Sequence, residues 1–308
     1  MVTAVKKSRR LSRGDRVFDA VNYAVMGIFL VVVFYPLYYT LIASLSDINE
    51  VGLGRVFLWP KGFTLDSYRQ VFNYAMIWTG YANSLIYTAL GIAYNLALLL
   101  PLAYALSKRY LWGRGPVTWF FLFTMYFGGG IIPNYLLRTQ TLHINNTVWV
   151  MILGGASVYY VIVTRTFFAN IPGELYESAE MDGASQFRCF FQIALPLSAP
   201  IIAVIALFLA VDFWNSYFNA MIYITKRSMY PLQLVLRSIL ILNDQISANP
   251  DLITSFSADE MKDLLVKQRL AQSMKYSTIF IGSAPLLIAY PFVQKYFVKG
   301  MMIGSVKG

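Results

Sequence analysis

The chain has 308 residues, 57% of them apolar and only 13% charged, with a mean hydropathy of +0.55. A soluble domain carries roughly a quarter charged residues, and here the charges are also clustered, leaving long stretches with none; both facts exclude a soluble globular fold. One cysteine (Cys189) and one histidine (His143) exclude an internal disulfide and a cysteine- or histidine-based metal cluster, and the net charge of +10 is better explained by topology than by nucleic acid.

Taken in chain order, six stretches are apolar enough to cross a bilayer core, which needs about 20 helical residues. The first is 21–45, free of charge between Asp19 and Asp47. Its apolar run exceeds the roughly 7–15 residues of a cleaved signal peptide, which favours a retained helix. The second lies at 81–106, inside a charge-free run from Gln70 to Ser107. The third covers 117–136 and the fourth 147–164. The fifth, 200–224, is interrupted by Asp212, and the sixth covers 276–293. The expected fold is all-α and integral to the membrane, with six transmembrane helices in one domain over 1–308. A basic arm (1–17) precedes the six-helix core (18–298), and a tail (299–308) follows it.

Lys and Arg in short loops mark the cytoplasmic side. Lys6, Lys7, Arg9, Arg10, Arg13 and Arg16 in the arm fall on one side of a six-fold crossing. So do Lys108, Arg109 and Arg114 after the second span, and Lys295, Lys299 and Lys307 after the sixth. The short loop after the third span, on the other side, holds only Arg138. Both termini are therefore expected in the cytoplasm. Segments 47–79 and 225–275 then lie outside and 165–198 inside, all longer than a connector needs. The first includes a helix start at Thr64, Leu65 and Asp66, and the second an apolar-periodic piece at 232–242.

Residues 171–196 read IPGELYESAEMDGASQFRCFFQIALP. Pro172 pre-sets a first helical turn, and Glu174 and Glu177 suit its positive end. Asp182 and Gly183 mark a stop, because glycine enters the left-handed region without strain. Ser185 can cap a second short helix whose Phe187, Phe190, Phe191 and Ala194 make an apolar stripe, until Pro196 stops or kinks the chain. Cys189 reads as packing. Two short helices joined at Gly183 make either a rigid knob for a cytosolic partner or an interfacial helix tucked under the headgroups.

Glu177, Ser178 and Ala179, then Gly183, Ile193, Leu195 and Pro196, resemble the EAA loop of importer permeases in the ATP-binding cassette superfamily. That pattern is E-A-A, three residues, G, nine residues, I-x-L-P, and only Ser178 departs from it, a small residue for a small one. The resemblance extends along the chain. Phe63 to Tyr68 is similar to the first outer loop of sugar-importer permeases, and Ala103 to Ser107 to the end of their second helix. Phe127, Gly128, Gly129 and Gly130, followed by Ile132, Pro133 and Asn134, resemble the branch for complex polysaccharide fragments. The nearest likeness is to the maltose-type smaller permease subunit. It implies the transmembrane domain of a type I importer, in a bacterial inner membrane, with no catalytic power or cofactor of its own. Consistently, the chain has no G-x-x-x-x-G-K-[ST] phosphate loop.

The implied partners are a second, non-identical permease, two cytosolic ATPases carrying ATP and Mg, an extracytoplasmic sugar-binding protein and an oligosaccharide. Surrounding lipid completes the set, without nucleic acid. Carried over by position, Glu177 meets a basic group on the ATPase, Asp182 and Gly183 form the turn that lets the knob fit, and Ala179 keeps its face flat. Ile193, Leu195 and Pro196 complete the motif, and Lys299 and Gly300 in the tail also reach toward the ATPase.

Asp212 lies near the middle of the fifth span, where a charge costs about 2.5–3.5 kcal/mol and so faces a polar cavity or a partner. Asn215, Asn219 and Tyr223 follow on roughly the same helical face, beside Trp214. These five either line a sugar path or hold helices together by hydrogen bonds. Two other readings stay open here: an importer permease for another solute, and a proton-coupled carrier using Asp212. A membrane scaffold or receptor signalling through 171–196 is a further class.

Overall fold

The computed structural model describes residues 12–154, 157–248, 272, 274–288, 291 and 294. The basic residues Lys6, Lys7, Arg9 and Arg10 of the arm lie outside them, as do Lys295, Lys299, Gly300 and Lys307 and much of the expected sixth span and second outer segment. Every regular element among the described residues is a helix, with no strand among them.

Helix α1 (Arg13–Ser44) starts at a reciprocal cap. Ser12 Oγ accepts from the Asp15 amide at 3.2 Å, while Asp15 Oδ2 accepts from the Ser12 amide at 3.0 Å. Pro36 sits inside it, and Thr40 Oγ1 donates back to the Pro36 carbonyl at 2.8 Å. Two short helices follow, α2 (Ile48–Gly52) and α3 (Asp66–Asn73). The intervening loop turns back along α1, where the Tyr35 and Tyr38 hydroxyls donate to the carbonyls of Phe57 and Leu58.

Helix α4 (Ala75–Ser107) is the hub, packed against α8, α12 and α14 described below. Its buried positions Gly80, Ser84, Tyr87, Gly91, Asn95 and Leu99 recur every three or four residues and form one stripe. Small residues in that stripe let neighbouring backbones come close. A Cβ on Gly80 would stand 3.1 Å from the Leu232 Cα, and one on Gly91 would overlap the Phe213 ring at 2.6 Å.

Helix α5 (Arg114–Tyr126) and α6 (Ile131–Leu136), with its continuation to Thr141, are bent by 106° at the three glycines. The expected third span, 117–136, is therefore not one straight helix. Gly130, at φ +80°, takes a conformation that other residues reach only with strain. The expected fourth span, 147–164, is likewise divided, into α7 (Trp149–Ile152) and α8 (Val158–Ala169). The inner segment contributes α9 (Gly173–Met181), α10 (Gln186–Cys189), a π turn (Phe190–Ala194) and α11 (Leu195–Leu197).

The fifth span, expected over 200–224, is also two helices, α12 (Ala199–Trp214) and α13 (Tyr217–Tyr223). The break has a local cause. Asn215 Nδ2 donates to the Val211 carbonyl at 3.0 Å and Ser216 Oγ to that of Phe213 at 2.8 Å, so side chains share the last helical acceptors with the backbone amides of the same two residues. Helix α14 (Leu232–Ala248) extends the apolar piece expected at 232–242, and α15 (Met274–Ile288) covers part of the sixth span.

By length and composition α1 and α4 can each cross a bilayer, and the bent pairs α5 with α6, and α10–α11 with α12, pass the same test if each counts as one span. Helices α8 and α15 are shorter apolar helices. Three cores sit along this frame. One joins the end of α4 to α8, α12 and the inner segment through Leu99, Phe168, Cys189 and Phe190. A second joins Ile77, Trp214, Leu232 and Met274, and a third joins Tyr87, Val150, Ala220 and Tyr223.

Candidate functional site: a surface knob and a polar cavity

The inner segment folds as a knob. Pro172 stands just ahead of α9, and Glu174 is in the first turn. At the other end Gly183, at φ +78°, donates to the Glu180 carbonyl at 3.0 Å while Ala184 donates to that of Ala179 at 2.9 Å. This pair of bonds is the Schellman closure, which satisfies the last carbonyls of α9 and reverses the chain. Ser185 caps α10, its Oγ accepting from the Arg188 amide at 3.4 Å. The turn expected at Asp182 and Gly183 and the cap at Ser185 are both in place.

The apolar stripe is corrected in part. Phe190 and Ala194 are buried together with Cys189, but Phe187 is 78% exposed and Phe191 is exposed as well. The π turn accounts for Phe191: its wider winding changes the angular phase after Cys189, so i, i+3, i+4 spacing no longer defines one face there, whereas Phe187 stands ahead of it in α10. Glu177, Ser178, Asp182, Gly183 and Pro196 are exposed, and Ala179, Ile193 and Leu195 are half-buried. The tip also presents Met181, 88% exposed.

The underside of the knob shows a contact that residue patterns alone did not reveal. Tyr176 is buried, and the Lys108 Nζ stands 3.3 Å from its ring centroid and 4.6 Å from that of Tyr104. Gln186 extends the tie: its amide donates to Glu180 Oε1 at 2.7 Å while its carbonyl accepts from the Tyr104 hydroxyl at 3.3 Å. Burial lowers the Lys108 pKa from 10.5 and pushes the Tyr176 phenol up to about 12. Thus the second-to-third-span loop, read only as a topological signal, also grips the knob.

The second place is a cavity of about 180 Å³ beside the break in the fifth span. Asp212 and Asn219 line it, as do Asn95, Arg138, Tyr160 and Ser216. The Tyr160 hydroxyl donates to Asp212 Oδ2 at 2.9 Å, so the carboxylate ties α8 to α12 while still lining the cavity. The other three expected residues lie elsewhere. Trp214 is buried, donating from Nε1 to the Gly282 carbonyl at 2.9 Å with its ring edge-on to Tyr81. Asn215 is turned to its own helix, and Tyr223 is buried, stacked on Tyr135, with the Arg138 guanidinium 5.0 Å from its ring. The break between α12 and α13 prevents positions 212, 215, 219 and 223 from sharing one face. Arg138, Asn95 and Tyr160 were missed; a lone cation in an otherwise uncharged loop was the available signal.

A helical membrane protein organised round one hub helix, with a rigid knob at one end and a polar cavity at a broken span, has the build of a transport permease. Residues 1–302 match the binding-protein-dependent transport system inner membrane component family, and the chain belongs to that family. It is a transport subunit rather than an enzyme.

Among its relatives is the protein LplC of Bacillus subtilis, 38% identical over 298 residues, covering 96% of this chain and 97% of that one. Another is the polygalacturonan/rhamnogalacturonan transport system permease protein YtcP of the same organism, 36% identical over 295 residues and covering 96% and 99%. A chain of a bacterial transporter that imports the acidic polysaccharide alginate superposes with a TM-score of 0.81 at 32% identity, covering 93% of this chain and 98% of that one. The fold is thus that of an importer transmembrane domain.

Proposed function

We propose that this chain is one half of the translocation path of an ATP-driven oligosaccharide importer, with both termini in the cytoplasm and six crossings. The crossings are α1, α4, the bent pair α5 and α6, α7 with α8, α12 with α13, and the helix that includes α15. An extracytoplasmic binding protein delivers the sugar, a second, non-identical permease completes the path, and two cytosolic ATPases hold the ATP and Mg. Its likeness to a polygalacturonan/rhamnogalacturonan permease and to an alginate importer supports a polysaccharide fragment as cargo.

One observation carries the coupling role. The knob is anchored by Cys189, Phe190 and the Lys108–Tyr176 contact, while Glu177, Ser178 and Asp182 stay exposed beside a glycine-closed turn. A lever needs this combination: a free face to be gripped and a fixed root that passes the motion to α4, α8 and α12. Ala179, Gly183, Ile193, Leu195 and Pro196 shape that lever. On the cargo side, Asp212 and Asn219 offer hydrogen-bonding groups to sugar hydroxyls, and Trp214, Asn215 and Tyr223 hold the walls.

The test is import by the complete transporter in proteoliposomes, with ATP hydrolysis measured alongside. Glu177→Lys or Gly183→Pro leaves hydrolysis running but abolishes import and its stimulation by the loaded binding protein. Normal import in both variants would overturn the assignment.

A further inference from the structure

At the end of α4 nearest the knob, the loop 108–113, the start of α5 and Arg165 of α8 border a second, open cavity, of about 540 Å³. It lies apart from the Asp212 cavity and shares no residue with it. Arg109, Arg114 and Arg165 all line it, and no acidic residue does. The ion pair found among the described residues, Arg55 with Glu50, involves none of the three.

Three like charges facing one space repel each other, and Arg114 acts on Arg165 in this way. Arg165 is nonetheless held in place, because its Nε donates to the Leu106 carbonyl at 3.0 Å. That bond leaves its two terminal amino groups without a partner among the described residues, arranged as a fork that matches the oxygens of a phosphate.

The rest of the lining fixes the kind of anion. Trp119, 74% exposed, and Leu122 also line the cavity, further along α5 than Arg114. Tyr110 and Trp112 are exposed on the adjoining loop. Aromatic side chains of this sort gather where a helix meets the headgroup layer, and basic pockets on the cytoplasmic side between spans recognise anionic headgroups. A site that joins three guanidiniums to apolar side chains of α5 fits an amphiphile whose phosphate meets the guanidiniums while its chains run along α5.

We propose that Arg109, Arg114 and Arg165 bind the phosphate of an anionic phospholipid in the cytoplasmic leaflet, with Trp119 and Leu122 bordering its acyl chains. Occupancy would brace the loop whose Lys108 grips Tyr176, and so link leaflet charge to the seating of the knob. The leaflet rests on the topology proposed above. That topology is tested separately by labelling Trp112→Cys with a membrane-impermeant thiol reagent from each side, in a Cys189→Ser background.

The binding test uses the assembled transporter in detergent, titrated with phosphatidylglycerol or phosphatidylcholine of the same acyl chains and read by native mass spectrometry. Phosphatidylglycerol is expected to bind preferentially. Its affinity should fall roughly fivefold for each of Arg109→Gln and Arg114→Gln, with Arg165→Lys losing less because charge is kept. Unchanged unfolding temperatures identify variants that are properly folded. Equal binding of the two lipids, or no loss in folded variants, overturns the proposal. So does displacement of phosphatidylglycerol by millimolar inorganic phosphate, which would make the site one for soluble anions. Loss of the ATPase subunits from the variants with lipid binding intact also overturns it, and identifies a protein-docking surface.

Discussion

Tyr176 has a buried hydroxyl with no hydrogen-bond partner among the described residues, so its value to the knob lies in its ring. Removing an unpaired buried polar group is neutral or stabilising. Tyr176→Phe should therefore leave the unfolding temperature at neutral pH unchanged or slightly higher, whereas Tyr176→Ala removes the platform under Lys108 and costs about 3–5 kcal/mol. The pH dependence separates the two groups further. Unfolded tyrosine ionises near 10 but the folded phenol only near 12, so the unfolded state sheds its proton first and stability falls as pH rises through that interval. Lys108 acts with the opposite sign: its folded pKa is below 10.5, the unfolded state holds the extra proton, and stability rises as pH climbs toward 10.5. Thermal unfolding from pH 8 to 11 should accordingly show a shallower falling alkaline limb in Tyr176→Phe, part of the limb being kept by Tyr110, whose phenol burial also pushes up. Cys189, fully buried in the same core, should resist maleimide until denaturant is added.

Between elements, glycine contacts differ in what an added methyl would strike. Gly80 faces the Leu232 backbone, whose amide also donates to Ser84 Oγ at 2.8 Å, so Gly80→Ala must part α4 from α14 and should cost about 1–3 kcal/mol. Gly282 meets only the tip of Leu236, a flexible side chain, and Gly282→Ala should shift the unfolding temperature far less. The same scale explains what could be read from residues alone. The knob was legible because its punctuation is local: Pro172, Gly183 and Ser185 each act within one turn of chain. The continuity of spans was not, because apolarity reports the solvent of a segment and not whether its helix is unbroken. Gly128, Gly129 and Gly130 bend one span inside a stretch of unbroken hydropathy, and another ends at Asn215 and Ser216, beyond the Asp212 that interrupts its apolar run without marking where the helix stops. The cavity was half legible for the same reason: Asp212 and Asn219 survive the break as neighbours, whereas Asn95, Arg138 and Tyr160 arrive from helices distant in sequence.

For the molecule as a whole, the sharpest question is what drives import, since a tyrosine-bonded carboxylate at a broken span could also serve a proton relay. Vesicles loaded with ATP and treated with an uncoupler should import at the untreated rate, and Asp212→Asn should change the apparent KM for sugar without creating or removing the need for ATP. Import that stops with the proton gradient would reverse that conclusion. The ties of Trp214 and Tyr81 to the last helix carry one more consequence, for the order in which the protein matures. Every member of the core around the knob precedes residue 214 in the chain, so that end can consolidate while synthesis continues. The opposite end cannot. Trp214 and Tyr81 donate to the carbonyls of Gly282 and Ile281, 68 and 200 residues further on, and their cluster needs Met274. The knob end is therefore built first, and the opposite end closes only when α15 has left the ribosome.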